Sequence, residues 1–291
     1  MTGTRIDFTS ATPAAGTLDV RWIHGSSSAK HNTDPDIQVH AYNEHTVILR
    51  QNKAVDYEAP FLFLLFGNDR VVLLDTGATA SAEHFPLRRT VDDLIGRWLE
   101  AHPRDDYELV VLHTHAHRDH VAADDQFTGR PGTVVVGADR ASAWAYLGLT
   151  APGEAAALDL GGRVLDCLAT PGHHESAVTF YDAYTGLLFT GDTVYRGRLY
   201  IDDWPAFRHT IDTLVAFAGT RPVTHVLGCH IEMTSEPGVD YPMGTTFQPD
   251  ETPLQMTGGH LRDIQAAVAV VGDRTGRHVF DDFILCRAGA A

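Results

Sequence analysis

Apolar residues gather in short runs that predict strands along most of the chain. Phe61–Phe66 is almost continuously apolar, which is typical of a strand covered on both faces. Gly67-Asn68-Asp69 then predicts a hairpin turn into a second strand, Arg70–Leu74. Further strands are predicted at Asp19–Ile23, Thr46–Arg50, Glu108–His113, Thr133–Val136, Arg163–Leu168, Val178–Tyr181, Leu187–Thr190, His225–Gly228 and His278–Leu285.

Helical spacing occurs between these strands. Apolar side chains between Thr90 and Glu100 recur at i, i+3, i+4, i+7 and i+8, which predicts an amphipathic helix. A short helix is predicted at Ala138–Tyr146, and apolar residues along one face predict helices from Pro205 to Ala218 and from Leu261 to Val271. Strands that alternate with amphipathic helices favour one domain of two sheets with helices outside. We therefore expect a single domain over 1–291, with extensions 1–45 and 233–291 packed on its core.

Composition and charge narrow the classes of partner and compartment. A net charge of −16 argues against nucleic acid or an anionic membrane as a partner, because both attract Lys and Arg. Cys167, Cys229 and Cys286 are widely spaced and form no CxxC pair, which fits a reducing compartment. The N-terminus has no signal-peptide pattern, and no run is apolar enough to span a membrane. We expect a cytoplasmic protein with a small-molecule substrate, and leave a homodimer open.

Metal-competent side chains follow four of the predicted strands. Val110-Val111-Leu112 runs straight into His113-Thr114-His115-Ala116-His117-Arg118-Asp119-His120, and His173, Asp192 and His230 follow later strands. Neutral imidazoles and carboxylates are ligands for zinc-like divalent cations. Because strand ends lie along one edge of a sheet, these distant groups are expected to converge on one metal site.

These segments resemble the motifs of a known family. Thr114–His120 looks like the HxHxDH signature of the metallo-β-lactamase superfamily, and the later elements match in order over roughly residues 60–232. These elements are Leu74-Asp75-Thr76-Gly77, Thr170-Pro171-Gly172-His173, Thr190-Gly191-Asp192-Thr193 and Gly228-Cys229-His230. The resemblance implies an α/β fold, a four-layer αβ/βα sandwich of two mixed β-sheets with the metal site at the strand ends.

The resemblance also implies two divalent ions, zinc first, with iron or manganese as alternatives. The implied ligands are His115, His117 and His173 for the first ion, Asp119, His120 and His230 for the second, and Asp192 as the bridge between them. Asp75 would support the ligand loop. Two such ions lower the pKa of a shared water and polarise a carbonyl, so hydroxide becomes the nucleophile near neutral pH.

Two residues are candidates for direct catalytic roles. Asp119 would orient the hydroxide and carry its proton to the leaving group. Tyr195 lies three residues after Asp192. In lactone-cleaving relatives a tyrosine at this spacing helps to hold the substrate carbonyl. A position in the core or at the rim of the site fits the sequence equally well. His113 is expected to be packed or beside the site rather than a ligand, and His174 to lie at the surface or beside the site. His260 either reaches the site or caps a helix.

Several functions remain open at this stage. The leading hypothesis is a metal-dependent hydrolase of an ester, thioester or lactone carbonyl. A glyoxalase II-like thioesterase is disfavoured by the absence of a basic C-terminal helical segment, and a β-lactamase-like amide hydrolase by the absence of an export signal. A lactonase remains by elimination. A di-iron redox enzyme or a non-catalytic metal-binding protein are the alternatives from other classes.

Overall fold

The computed structural model describes residues 3–288, so the outermost ends of the predicted domain lie outside the described residues. Its first half forms a six-stranded sheet from β1 Ile37–Asn43, β2 Thr46–Gln51, β3 Phe61–Phe66, β4 Arg70–Leu74, β5 Glu108–Leu112 and β6 Thr133–Val135. The strands lie in sequence order. Neighbours are antiparallel from β1 to β4 and parallel from β4 to β6, so the sheet is mixed.

A second mixed sheet faces the first. The remaining strands are β7 Ala155–Asp159, β8 Val164–Ala169, β9 Val178–Asp182, β10 Leu187–Gly191, β11 Arg198–Ile201, β12 His225–Gly228, β13 Gln255–Met256, β14 Gly276–Val279 and β15 Ile284–Arg287. Six of them form a sheet in the order β13-β12-β10-β9-β8-β7, in which β10 and β12 are parallel. The other three form a small sheet, β11-β15-β14, which the sequence did not predict.

Helices cover the outer faces of both large sheets. The helices are α1 Leu87–Ala101, α2 Arg118–Val121, α3 Arg140–Leu147, α4 Trp204–Gly219 and α5 Gly258–Val271. The apolar stripe of α1, including Val91 and Ile95, packs on the outer face of the first sheet. The stripes of α4 and α5, including Ile211 and Ile264, pack on the outer face of the second. This arrangement confirms the predicted sandwich of two mixed sheets between helices.

Strand β3 shows why its sequence is apolar at every position. Phe61, Phe63 and Leu65 point into the core between the two sheets, and the alternate residues point towards α1. All six side chains are buried, because both faces of the strand are covered.

One buried ion pair ties the two sheets together. Arg163 binds both carboxylate oxygens of Asp182 and also donates to the backbone oxygens of His45 and Phe66 in the first sheet. Neither side chain of the pair is exposed to solvent. Each nitrogen of the Arg163 guanidinium therefore has an acceptor. A buried ion pair is tolerated in a protein core when its hydrogen-bonding groups are satisfied in this way.

Several predicted elements differ from the structure. Residues 19–23 form no strand; they run as an irregular segment that buries Trp22 in the central core. The predicted strand His278–Leu285 is two strands, β14 and β15, which pair as a hairpin. Helix α1 begins three residues before Thr90. Strands β1, β7, β11 and β13 were not predicted; β1 alternates buried and exposed residues too irregularly to stand out.

Strand directions bring the chemistry-bearing segments to one edge. The parallel pairs β4–β5 and β10–β12 end at this edge, and the chain after each of them leads into Asp75, the His115–His120 segment, Asp192 and His230. Among the described residues, no helix is long and apolar enough to cross a membrane.

Candidate metal centre

Three imidazoles form the first group at this edge. His115 and His117 come from the segment after β5, and His173 from the segment after β8. Nε2 of His115 lies 3.0 Å from Nδ1 of His117 and 3.3 Å from Nε2 of His173. The third distance, from His173 Nε2 to His117 Nδ1, is 3.1 Å. Three ring nitrogens therefore face a common point.

A second group mixes carboxylates with imidazoles. Oδ2 of Asp119 lies 3.3 Å from Nε2 of His120 and 3.3 Å from Nε2 of His230. The two Nε2 atoms are 3.4 Å apart. Oδ1 of Asp192 completes the group, 3.5 Å from His120 Nε2 and 3.4 Å from His230 Nε2.

Asp192 lies between the two groups. Its Oδ1 faces His120 and His230, while its Oδ2 lies 3.9 Å from Nε2 of His173 in the first group. The preceding Gly191 has φ +53°, and a Cβ there would come within 2.6 Å of the Thr114 side chain. Glycine is therefore required for the chain to turn Asp192 towards both groups.

Hydrogen bonds on the far side of the rings set their tautomers. His120 Nδ1 donates to Oδ2 of Asp75 at 2.8 Å, His173 Nδ1 to the Tyr200 oxygen at 2.7 Å, and His230 Nδ1 to the Glu58 oxygen at 3.0 Å. Carboxylate and carbonyl oxygens only accept, so each Nδ1 carries the proton. A neutral ring in this tautomer presents the Nε2 lone pair to the centre, which is the form that binds a metal. Burial opposes charge on His120 and His230, but Asp192 and Asp119 raise the pKa of both rings, so a bound metal ion would replace the Nε2 proton.

Asp75 makes several hydrogen bonds to the segment that carries the candidate ligands. Its Oδ1 accepts from the backbone N–H of Thr114 at 2.7 Å, and its Oδ2 accepts from Thr114 Oγ1 at 2.8 Å in addition to His120. The thiol of Cys229 also donates to Oδ2, at 3.4 Å. Asp75 is fully buried at φ +67°, a left-handed conformation that Asp and Asn tolerate better than most residues.

The donor set fits divalent cations on two physical grounds. Zinc–nitrogen bonds of about 2.0–2.1 Å in a tetrahedron place ligand atoms about 3.3 Å apart, close to the spacings in both groups. In addition, Oδ1 of Asp192 is buried and makes no hydrogen bond with a described residue. A buried carboxylate oxygen without a partner is costly unless a cation compensates it.

Electrostatics differ between the groups. Burial lowers the pKa of His115 well below its usual value, and the rings of His120 and His173 add to the effect. Burial alone would raise the pKa of Asp192, but His230 and His120 lower it to about 2. Burial would likewise raise the pKa of Asp119, and the hydrogen bonds from His120 and His230 lower it far more. The first group thus consists of imidazoles alone, whereas the second includes two carboxylates whose pKa values are lowered.

The structure also locates the other residues singled out in the sequence. Tyr195 is buried beside the His230 ring, and its hydroxyl lies 2.5 Å from the Arg198 oxygen and 3.1 Å from Oε2 of Glu232. His260 caps α5 through Thr257 instead of reaching the site.

His113 and His174 both lie outside the two ligand groups. His113 contacts the backbone oxygen of His120 and the carboxylate of Asp124. His174 lies with its ring centroid 4.7 Å from that of His117 and bonds Ser176. Each is therefore a neighbour of the site, as expected.

Sequence reasoning missed the backbone carbonyls that orient two of the ligand rings. The carbonyls of Glu58 and Tyr200 hold His230 and His173. Any residue type supplies a backbone oxygen, so no sequence pattern identifies these two positions. The buried carboxylate of Glu232 was also missed; it binds Arg198 and the Tyr195 hydroxyl.

Comparison with known sequences identifies the family. The family model described as metallo-beta-lactamase superfamily matches residues 58–230, more than half of the chain. The chain belongs to this superfamily. The match spans every residue of the two groups and Asp75, and it begins at Glu58, whose carbonyl holds His230.

Curated relatives are similar to this chain in sequence, and solved structures are similar to it in fold. A hydroxyacylglutathione hydrolase from Rhizobium meliloti is 33% identical over 53% of this chain and 57% of its own length. One from Acidiphilium cryptum is 36% identical over 41% and 49%. The chain thus matches about half the length of these curated relatives. A metallo-beta-lactamase from Pontibacter korlensis superposes with TM-score 0.52 and 16% identity, over 80% of this chain and 99% of that one, which supports the fold.

Proposed function

We propose that the protein is a metal-dependent hydrolase that cleaves a thioester or a related ester or lactone carbonyl. The observation that carries the proposal is the pair of ligand groups, in which side-chain nitrogens and oxygens lie 3.0–3.5 Å apart around two points. The superfamily assignment and the hydroxyacylglutathione hydrolases among the relatives support hydrolysis and favour a thioester.

Seven side chains would hold two divalent ions, with zinc as the first choice for this ligand set. The proposed ligands are His115, His117 and His173 for one ion, Asp119, His120 and His230 for the other, and Asp192 for both. When bound, the ions would supply Lewis acidity, which lowers the pKa of water and polarises a substrate carbonyl.

The chain itself would handle the proton through Asp119. Its Oδ2 is engaged by His120 and His230, whereas its Oδ1 makes no hydrogen bond with a described residue, and the side chain is partly exposed. Oδ1 is thus available to accept a proton from the attacking water and to return it to the leaving group. For Tyr195 the contact with a substrate carbonyl stays a prediction, because it would require the hydroxyl to leave Arg198 and Glu232.

The experiment measures how fast the full-length, zinc-loaded protein hydrolyses three substrates that carry the same acyl group. The substrates are a hydroxyacyl thioester of glutathione, the matching oxygen ester and a γ-lactone. We expect turnover that disappears on chelation, returns with zinc, and is fastest with the thioester. Metal analysis of the same protein is expected to give two ions per chain.

His115→Ala is the matched test variant, with His84→Ala as its control, since the His84 side chain is exposed and belongs to neither ligand group. His115→Ala should lose the first ion and all turnover, while His84→Ala should keep both. Absence of turnover on all three substrates in protein that holds two ions would refute the hydrolase proposal. Full metal content in His115→Ala would refute the ligand assignment.

The remaining expectations stay predictions. They are a single domain over the whole chain, a cytoplasmic location, a small-molecule substrate without nucleic-acid or membrane partners, and an open question of homodimerisation. Equilibrium sedimentation tests the last of these directly.

A further inference from the structure

Two chain segments that carry candidate ligands of the second group run side by side. Asp192 lies in the segment that follows β10, and His230 lies in the segment that follows β12. Arg196 and Ile231 form a parallel β-bridge between the segments, and the backbone N–H of Glu232 donates to the Arg196 oxygen at 2.8 Å. The relative position of these segments therefore sets the relative position of the two ligands.

The carboxylate of Glu232 ties the His230 segment to the Asp192 segment through three hydrogen bonds. Its Oε2 accepts from the Arg198 backbone N–H at 2.6 Å and from the Tyr195 hydroxyl at 3.1 Å. Its Oε1 accepts from the Arg198 guanidinium at 2.5 Å. Hydrogen bonds to a charged acceptor are stronger than those between neutral groups, and the Glu232 side chain is only 13% exposed. These bonds therefore add a strong constraint to the backbone contacts.

Glycine at position 197 permits this close approach. A Cβ there would come within 2.5 Å of Glu232 Oε2 and within 2.2 Å of the Tyr195 ring. Gly228 has the same role on the other side, because a Cβ there would lie 2.3 Å from Tyr195 Cβ. The Tyr195 ring consequently packs beside the His230 ring, with 5.7 Å between their centroids. Contacts thus run from Glu232 through Tyr195 to a candidate ligand.

Arg198 is held in turn by partners outside the ligand groups. Its guanidinium donates to Oδ2 of Asp240 at 2.9 Å and to the Tyr241 oxygen at 2.7 Å. Asp240 also accepts from Arg277 of β14, and Arg198 itself begins β11, which pairs with β15. Glu232 therefore connects the ligand-bearing segments to the small sheet, which gives its carboxylate a fixed position.

We propose that Glu232 is a positioning residue for the second metal ion, because it holds the two segments where Asp192 Oδ1 and His230 Nε2 lie 3.4 Å apart. The inference rests on the proposed ligand groups. Glu232 lies beyond residues 58–230, the part of the chain that the superfamily model matches. The three imidazoles of the first group come from segments after β5 and β8, so loss of the Glu232 carboxylate acts mainly on the second ion.

A chelator-competition titration with zinc on the full-length protein measures the affinity of each site. Glu232→Leu removes both acceptors and should weaken the second site at least about tenfold, while the first site stays within a few-fold. Glu232→Gln keeps one oxygen that accepts from the Tyr195 hydroxyl and the Arg198 N–H, so it should recover most of this loss.

Gly197→Ala tests the same contact without removing any hydrogen-bonding group. Its Cβ would displace Glu232 Oε2, so the second site should again weaken while the first stays within a few-fold. Because this variant keeps the carboxylate, the test does not depend on the folding of Glu232→Leu.

Glu251→Leu is the control for a purely structural effect. Glu251 also pairs with a buried guanidinium, that of Arg50, and it belongs to neither ligand group. A denaturant titration of the metal-free proteins should show a loss of stability in this variant, whereas its affinity for both ions should stay that of the unmodified protein. Unchanged second-site affinity in Glu232→Leu or in Gly197→Ala, or equal weakening in Glu251→Leu, would overturn the positioning role alone. Binding of fewer than two ions by the unmodified protein would overturn the ligand assignment together with it.

Discussion

Replacing Asp75 by Asn tests how the buried carboxylate controls the second ligand group. Asn keeps the size of the side chain and tolerates the left-handed backbone at this position, so the change is mainly one of charge and hydrogen bonding. With the amide oxygen on the Thr114 N–H, the amide NH₂ faces His120 Nδ1, where the carboxylate accepted at 2.8 Å. Two donors then oppose each other.

The cost of that opposition follows from the geometry. A hydrogen bond to a charged group contributes about 1.5–3 kcal/mol, so the metal-free protein should lose about that much unfolding free energy. The His120 ring relieves the clash by moving its proton to Nε2, the atom that faces Asp119 and His230. Loss of such an orienting partner typically weakens metal binding about 10–100-fold.

A chelator-competition titration with zinc measures the affinities of both sites. We expect the second site of Asp75→Asn to weaken about 10–100-fold, while the site of His115, His117 and His173 stays within a few-fold. Asp166→Asn, in a partly exposed pair with Arg221, is the control and should change neither site. Unchanged affinity at both sites in Asp75→Asn would refute the reasoning, as would equal weakening of both.

Three further predictions concern single side chains. Asp119→Asn should lower turnover about 10²–10⁴-fold with little loss of stability, and unchanged turnover in metal-replete protein would remove its proton-transfer role. Tyr195→Phe should lower the unfolding free energy by about 1–2 kcal/mol, because the Arg198 carbonyl and the Glu232 carboxylate lose the one O–H donor that they share; a fall of kcat beyond tenfold at full metal content would instead establish its predicted catalytic contact. Arg163→Met should lower the unfolding free energy by about 3–5 kcal/mol in a denaturant titration, because Asp182 is left charged and buried, and a loss below about 1 kcal/mol would contradict that assignment.

The sequence determined the parts of this protein that depend on local periodicity. Strand β3 is apolar at each position because both its faces are covered, and α1 has a 3.6-residue apolar stripe because only one of its faces is. Both periods are visible without any knowledge of the partners. The segment His115–His120 likewise revealed its chemistry, because imidazoles and a carboxylate were clustered within six residues.

Elements stabilised by distant partners were not predictable in this way. Strand β11 exists because it pairs with β15, more than eighty residues later, and residues 19–23 follow the core surface without joining a sheet. Neither case leaves a periodic pattern, since the stabilising hydrogen bonds and contacts come from elsewhere in the chain.

The tertiary structure alone decided how the site is held. Sequence reasoning supplied the seven candidate ligands, but the spacing of 3.0–3.5 Å within each group depends on where four strands end. The carbonyls of Glu58 and Tyr200 fix two ring tautomers, and backbone oxygens are the same in every residue. Tyr195 makes the same point, because its sequence position suggested a substrate contact while the fold directs its hydroxyl to Arg198 and Glu232. Chemistry is carried by residue type, whereas orientation is set by the packing of segments far apart in the chain.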